Sequence, residues 1–200
     1  SPSQPTYLSE SKFHYFLPLI LLSQGETMII KRVLEINADN EKSIKALLDL
    51  AYEGDFSPQD WEHTFGGQYF IGTIDDMIIA HGSVVSRKMV IDEQAVTVGY
   101  VEAIAVLPSL WRKGFGTKLM KEITQFCHEN YELSMLSTDE NYFYERLGWQ
   151  RFQGESFARS GDLEVRTLEE DEGLMLLPGK KSQISVIGRA VCESRTGDDW

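Results

Sequence analysis

Residues 98–119, VGYVEAIAVLPSLWRKGFGTKL, decide how the rest of the chain is read. Residues 98–106 gather Val, Ile, Ala and Tyr, the composition of a β-strand. Leu107-Pro108 ends that run, because proline cannot donate to a strand ladder. A basic, glycine-containing loop then runs from Trp111 through Arg112, Lys113, Gly114 and Phe115 to Gly116. It opens a predicted helix over residues 114–129, in which Leu119, Met120, Ile123, Phe126 and Cys127 share one inward face. A helix N-terminus carries unpaired N–H groups and partial positive charge. Glycine lets the backbone close on an oxyanion, and Arg112 and Lys113 add charge. Together these make a cradle for a pyrophosphate. The spacing fits neither a P-loop nor the GxGxxG dinucleotide fingerprint. On these residues alone, an ordinary glycine turn before a helix explains the stretch about as well.

Toward the N-terminus, residues 28–36 (MIIKRVLEI) read as a first strand. Asn37, Asp39 and Asn40 offer caps for a helix whose Ile44, Leu47, Leu48 and Ala51 recur at one-face spacing. Gly54 ends it. Ser57-Pro58 starts a second, short helix that Gly66-Gly67 closes. Strand-like runs follow at 68–74, 77–87, and 89–92 with 95–106, and Asp75-Asp76 marks the first turn between them. Beyond the long helix come a strand at 131–136, a helix at 139–147 and a strand at 149–152. Residues 153–172 are polar and weakly patterned, and 173–177 and 184–190 offer late strands. The order is mixed α/β and lacks the regular alternation of doubly wound folds.

The chain has 200 residues, enough for one domain with a full core. Its formal charge of −12 argues against nucleic acid and anionic membranes, which want a basic face. That charge suits a cationic partner or mere solubility. Cys127 and Cys192 form no CxxC pair and no disulfide framework, so a reducing cytoplasm fits. His14, His63, His81 and His128 make neither a triad nor a metal set, and no metal is expected. His63 is either structural or next to substrate. Residues 1–27 read differently, with Ser, Gln, Pro and aromatics, and an apolar run broken by Pro18. They lack the pattern of a secretory signal. The expectation is an N-terminal extension over 1–27, whose deletion leaves folding and activity intact, before a single domain over 28–200. An arm that docks on the domain is the alternative.

With the residues set out, a resemblance emerges. The loop is similar to the central motif of the GNAT acetyltransferase superfamily, [Q/R]-x-x-G-x-[G/A] after a strand, with Gly114 and Gly116 in the glycine slots. Trp111 stands where that pattern has Arg or Gln. Tyr144-Glu145-Arg146-Leu147-Gly148-Trp149 resembles the later GNAT motif Y-x-x-x-G-[F/W]. The resemblance implies a central mixed, mostly antiparallel twisted sheet flanked by helices. It implies acetyl-CoA as acetyl donor, held by Arg112, Lys113, Gly114, Phe115 and Gly116 at the pyrophosphate. Ile104, Ala105 and Val106 would lie along the pantetheine arm and thioester. Tyr144 would be the general acid.

A finer resemblance is to aminoglycoside 2'-N-acetyltransferases, in order from Met28 to Trp200. It rests on Gly54-Asp55-Phe56-Ser57 with Asp60-Trp61-Glu62-His63-Thr64 and Gly66-Gly67, and on Val98-Gly99-Tyr100-Val101-Glu102-Ala103. It also rests on Tyr131-Glu132-Leu133 with Leu136-Ser137, and on the C-terminal Cys192-Glu193-Ser194-Arg195-Thr196-Gly197-Asp198-Asp199-Trp200. The segment between Ser137 and Tyr144 is shorter than the family's. The resemblance implies a polycationic drug bound by Asp55, Glu102, Ser137, Asp171, Asp198 and the Trp200 carboxylate. Asp60 is either a further ligand or a first-turn helix acid, and the acidic run 169–172 leaves several choices around Asp171. Glu102 would act as general base, with the Trp200 carboxylate as helper. Backbone N–H groups near Ile104 would stabilise the oxyanion. The attack is direct, in a ternary complex, without a covalent enzyme intermediate. Family members are often homodimers, which sets that expectation here. Two rivals stand beside this: a GNAT enzyme for another polyamine or a peptide amine, and a GNAT-like module that binds without turnover.

Overall fold

The computed structural model describes residues 26–184 and 187–200. Most of the expected extension therefore lies outside the described residues. Strand β1 (Ile29–Val33) leads into helix α1 (Ala38–Ala51), whose cap Asn37 accepts a hydrogen bond from the Asn40 N–H at 2.8 Å. Ile44, Leu47 and Leu48 are buried, each such side chain contributing about 1.5–3 kcal/mol. Helix α2 (Pro58–Glu62) starts in a capping box: Asp60 N–H donates to Ser57 Oγ, and Ser57 N–H to Asp60 Oδ2. Asp60 is thus employed as a first-turn helix acid.

Strands β2 (Gln68–Ile74), β3 (Met77–Ile91) and β4 (Gln94–Val106) form an antiparallel meander. Both of its turns, Asp75-Asp76 and Asp92-Glu93, carry two residues with positive φ, which suits the right-handed twist of a hairpin. The break expected at Lys88 does not occur. Ser86, Arg87 and Lys88 are ordinary strand residues, with Arg87 turned inward over the Tyr100 ring. Helix α3 (Phe115–Asn130) is followed by β5 (Leu133–Ser137), α4 (Asn141–Glu145) and β6 (Gln150–Arg151). The stretch 153–172, expected to be irregular, holds the hairpin of β7 (Glu155–Ser160) and β8 (Leu163–Arg166). Leu163 and Val165 face solvent there, so the short alternation they make with Glu164 and Arg166 marks no buried face. Strand β9 (Leu174–Pro178) lies close to its expected place. The last strand, β10 (Arg189–Glu193), starts later than the expected 184–190, and Ser185 and Val186 lie outside the described residues.

The sheet runs β6-β9-β5-β4-β3-β10-β7-β8, with β2 and then β1 on the edge of β3 that β10 also uses. Among the described residues only β4/β5 and β10/β7 are parallel, so the sheet is mixed and mostly antiparallel, as expected. One core lies beneath α1 and α3, with Val84, Val101, Leu119 and Ile123. A second, on the opposite face, gathers Val85, Val98, Tyr100 and Trp200. Neighbouring strand residues feed opposite cores because side chains alternate across a sheet.

Candidate active site

Strands β4 and β5 pair only at Val98, Gly99 and Tyr100. Beyond Tyr100 β5 stays with β9, β4 runs on to Val106, and the two part. Among the described residues the edge of β4 that carries Ile104, Ala105 and Val106 is therefore left without a strand partner on that side. A β-bulge shapes this edge. Ser83 pairs with Glu102 and His81 with Ala105, so Ala103 and Ile104 together oppose Gly82, and Ala103 takes φ 54°. Such bulges re-aim side chains and often adjoin active sites. Gly82 leaves room for two side-chain ends: a Cβ there would stand 2.5 Å from Ile104 Cδ1 and 2.6 Å from Ile123 Cδ1, so both would have to shift.

Three side chains brace the bulge. Tyr52 OH donates to the Ile104 carbonyl at 2.9 Å, His81 Nδ1–H to the Ala103 carbonyl at 2.8 Å, and Ser83 Oγ to the Glu102 carbonyl at 3.3 Å. Burial, then the nearby Glu102 and Asp60 carboxylates, push the Tyr52 phenol up to about 12. Burial takes the His81 imidazole down to about 4. The carbonyls of the bulge are thus held by neutral donors. Nothing in the sequence reading singled out Tyr52 or His81 for this.

The loop after β4 opens helix α3 at Gly114. Arg112 (φ 61°) and Gly114 (φ 86°) both take the left-handed conformation, and Gly114 caps α3 without a side-chain hydrogen bond. The first-turn N–H groups of α3 have no partner within the helix, and Arg112 and Lys113 are exposed beside them. Successive N–H groups arranged this way form an anion-binding concavity. A diphosphate fits this loop and an acyl thioester arm fits the free edge of β4. Trp111 has a place of its own: its indole N–H donates to the Val106 carbonyl at 2.7 Å, tying the loop to the strand end.

Glu102 lies at the root of the opening. Its Oε1 accepts from Arg195 Nη1 at 2.6 Å, with the two side chains 13% and 18% exposed. Burial raises its carboxyl above the ordinary value, and Arg195, Arg87 and His63 oppose the rise. Tyr144 is buried on α4, and burial, with Tyr52 nearby, pushes its phenol up strongly. Asp55, Ser137 and Asp198 are exposed, and Asp198 Oδ1 accepts from the Trp200 N–H at 3.3 Å. Trp200 itself is buried, its indole N–H donating to Thr167 Oγ1 at 3.0 Å. Asp171 is already engaged. Arg166, the Ser156 N–H (3.0 Å) and Ser156 Oγ (2.6 Å) all bond it. Burial opposes ionisation there, but these bonds outweigh it and keep the carboxyl below its ordinary value. Its neighbour Glu170 is the freer acid: burial, then Asp198, Glu169, Asp199 and Asp139, hold its carboxyl up. Among the described residues no group of three His, Cys, Asp or Glu side chains is placed to hold a metal. No helix there is long and apolar enough to cross a membrane.

The family model described as an acetyltransferase (GNAT) domain matches residues 32–152. An aminoglycoside 2'-N-acetyltransferase of Mycolicibacterium fortuitum is 31% identical over 171 residues, covering 83% of this chain and 88% of that protein. The chain belongs to the GNAT acetyltransferase family. Among solved structures, a GNAT family N-acetyltransferase of Escherichia coli in complex with CoA aligns with TM-score 0.65 at 16% identity, over 88% of this chain and 97% of that one. A GCN5-related N-acetyltransferase of Kribbella flavida aligns with TM-score 0.53 at 16% identity, over 64% of this chain. The chain spans about a third of the length of that second protein, 34%. At such identity the structures speak for the fold alone. Within this GNAT domain the matched residues include β4, the Arg112–Gly116 loop and Tyr144.

Proposed function

We propose that this GNAT enzyme transfers the acetyl group of acetyl-CoA to the 2'-amine of aminoglycosides. The carrying observation is a buried carboxylate, Glu102, at the point where β4 leaves β5, beside a C-terminal segment bearing Asp198 and the Trp200 carboxylate. A polycation is drawn to such a grouping, and the M. fortuitum relative carries that substrate in its name. Acetyl-CoA, when bound, supplies the activated acetyl thioester. The Arg112–Gly116 loop binds its pyrophosphate, and the backbone of Ile104, Ala105 and Val106 holds its arm.

Asp55, Ser137, Asp198 and the Trp200 carboxylate bind the drug, and Glu170 shares the role first expected of Asp171. Glu102 takes a proton from the drug's ammonium, directly or through water, and so frees the amine lone pair to attack the thioester. Its raised carboxyl brings it nearer the pH at which it must accept a proton. N–H groups at the bulge, aimed by the three braces, stabilise the oxyanion. Tyr144, kept protonated by burial, gives its proton to the departing thiolate. The proposal carries with it a cytoplasmic homodimer.

The test is thiol release from acetyl-CoA with gentamicin and tobramycin, which carry a 2'-amine, and with kanamycin A, which has a 2'-hydroxyl. Turnover with the first two and little with the third is expected. Turnover with all three would remove the 2' assignment. Turnover with none would favour another amine or a binding module.

A further inference from the structure

The C-terminal segment is fastened to the catalytic strand by one side chain. Arg195 Nη1 donates to Glu102 Oε1, a contact spanning 93 residues of sequence, and Arg195 Nε donates to the Asp198 carbonyl at 2.7 Å. The Arg195 N–H donates to Asp199 Oδ1 at 3.0 Å, so the guanidinium is fixed from its own backbone outward. Glu102 Oε2 has no hydrogen-bond partner among the described residues, whereas Oε1 is taken by Arg195. A second guanidinium, that of Arg87 on β3, lies over the Tyr100 ring, 4.7 Å from its centroid, and its Nη2 donates to the Asp199 carbonyl at 2.7 Å.

A carboxylate this far out of water strongly prefers to be neutral. A neutral acid cannot accept a proton, so a buried base needs a cation to keep it ionised. That cation must not itself block the acceptor. Here one oxygen meets the guanidinium and the other is left free, which is the division of labour such a base requires.

We infer that Arg195 is a positioning residue for this reaction: it holds Glu102 ionised and turned, with Oε2 presented to the substrate amine. The inference rests on the proposed role of Glu102 as base. It gives the C-terminal segment a part in proton transfer that is separate from drug binding by Asp198 and the Trp200 carboxylate. The other groups that face Glu102 are Arg87 on β3, Tyr100 on β4, Tyr52 after α1 and His63 after α2. Tyr100 and Tyr52 have phenols raised by burial and do not titrate in the working range. His63 Nε2 lies 2.8 Å from the Thr196 carbonyl, so its imidazole must be separated by a control.

The experiment is the pH profile of kcat/KM for tobramycin in the full chain, for the parent and for Arg195→Gln, Arg195→Lys, His63→Gln and Glu102→Gln. Without the guanidinium the Glu102 carboxyl rises further, so its ionised fraction falls first at the acid end. Arg195→Gln is expected to lose about tenfold near pH 6 and only about twofold near pH 8.5, moving the acid limb upward. Arg195→Lys should restore part of the acid limb, and His63→Gln, which removes the smallest of the opposing charges, should move the limb by much less than Arg195→Gln does. Acetyl-CoA affinity and the melting temperature of each variant report whether the fold is kept. A loss in Arg195→Gln that is the same at every pH would overturn the positioning role while leaving Glu102 as base. A limb that moves with His63→Gln and not with Arg195→Gln would do the same. Parent-like activity in Glu102→Gln would instead remove the base itself.

Discussion

Two glycines two positions apart do different work. Gly114 sits at φ 86° with open space around the position of a Cβ, so its demand is conformational. A β-branched residue there forces a strained backbone costing about 1–3 kcal/mol, or opens the cradle. Gly116 takes an ordinary backbone conformation, and a Cβ would meet Val106 Cγ2 at 3.7 Å and Phe143 Cζ at 3.8 Å, normal contact distances. Gly114→Val is therefore expected to raise the KM for acetyl-CoA about tenfold with a smaller effect on the drug's KM. Gly116→Ala should leave both within about twofold of the parent. Steady-state kinetics with each substrate varied in turn decides this, and equal effects of the two changes would refute the division of roles. Glu102→Gln belongs to the same scale: its kcat should fall about 10²–10⁴-fold, the usual contribution of a general base. The glycines stand out in the sequence by type, and Glu102 through the resemblance of its strand to that of the aminoglycoside 2'-N-acetyltransferases. Arg195 does not stand out: it is one arginine of the C-terminal segment, and its partner lies 93 residues away.

At the scale of elements, caps and turns were legible and exposed strands were not. Asn37 and Ser57-Pro58 announce α1 and α2 because capping is local chemistry, settled within a few residues. The β7/β8 hairpin escaped because its outer strand buries little, and β10 was displaced because its pairing partners, β3 and β7, are distant in sequence. The bulge of β4 was equally hidden: no residue in Glu102-Ala103-Ile104 advertises a positive φ. Its brace His81 makes a measurable claim. The imidazole is fully buried and drawn down to about 4 from an ordinary 6.5. Between those values the unfolded chain binds a proton that the folded chain does not. Stability from this group is thus complete above about pH 6.5 and is lost as pH falls toward about 4. The gap corresponds to about 3 kcal/mol at full span. His81→Gln keeps an N–H donor for the Ala103 carbonyl but does not titrate. Urea unfolding from about pH 7 to pH 4 should show a steeper loss in the parent than in the variant. Parallel curves would mean that His81 is not buried neutral.

For the whole molecule, the C-terminal residues close the second core and, in the proposed function, also bind the drug. Trp200 is 3% exposed, its indole bonds Thr167, and Arg87 holds the Asp199 carbonyl just before it. Removing so large a buried side chain costs about 3–5 kcal/mol, so Trp200→Ala should lower the melting temperature markedly whatever the substrate. The carboxylate that the proposed function assigns to Trp200 is a separate matter, because it can be moved without touching the indole. A short Gly-Ser peptide added after Trp200 turns that carboxylate into an amide and carries the charge away. The drug's KM should then rise about tenfold, as when one charged contact to a cation is lost, while the KM for acetyl-CoA stays near the parent's. The same peptide placed before Ser1 should change neither constant if, as proposed, residues 1–27 stand outside a domain over 28–200. If both additions leave the drug's KM unchanged, the chain end serves the core alone, and the acids that hold the drug are those of the strand and loops. If the C-terminal peptide lowers the melting temperature as much as Trp200→Ala does, the indole has been dislodged, and the carboxylate must be tested by amidation of the terminus.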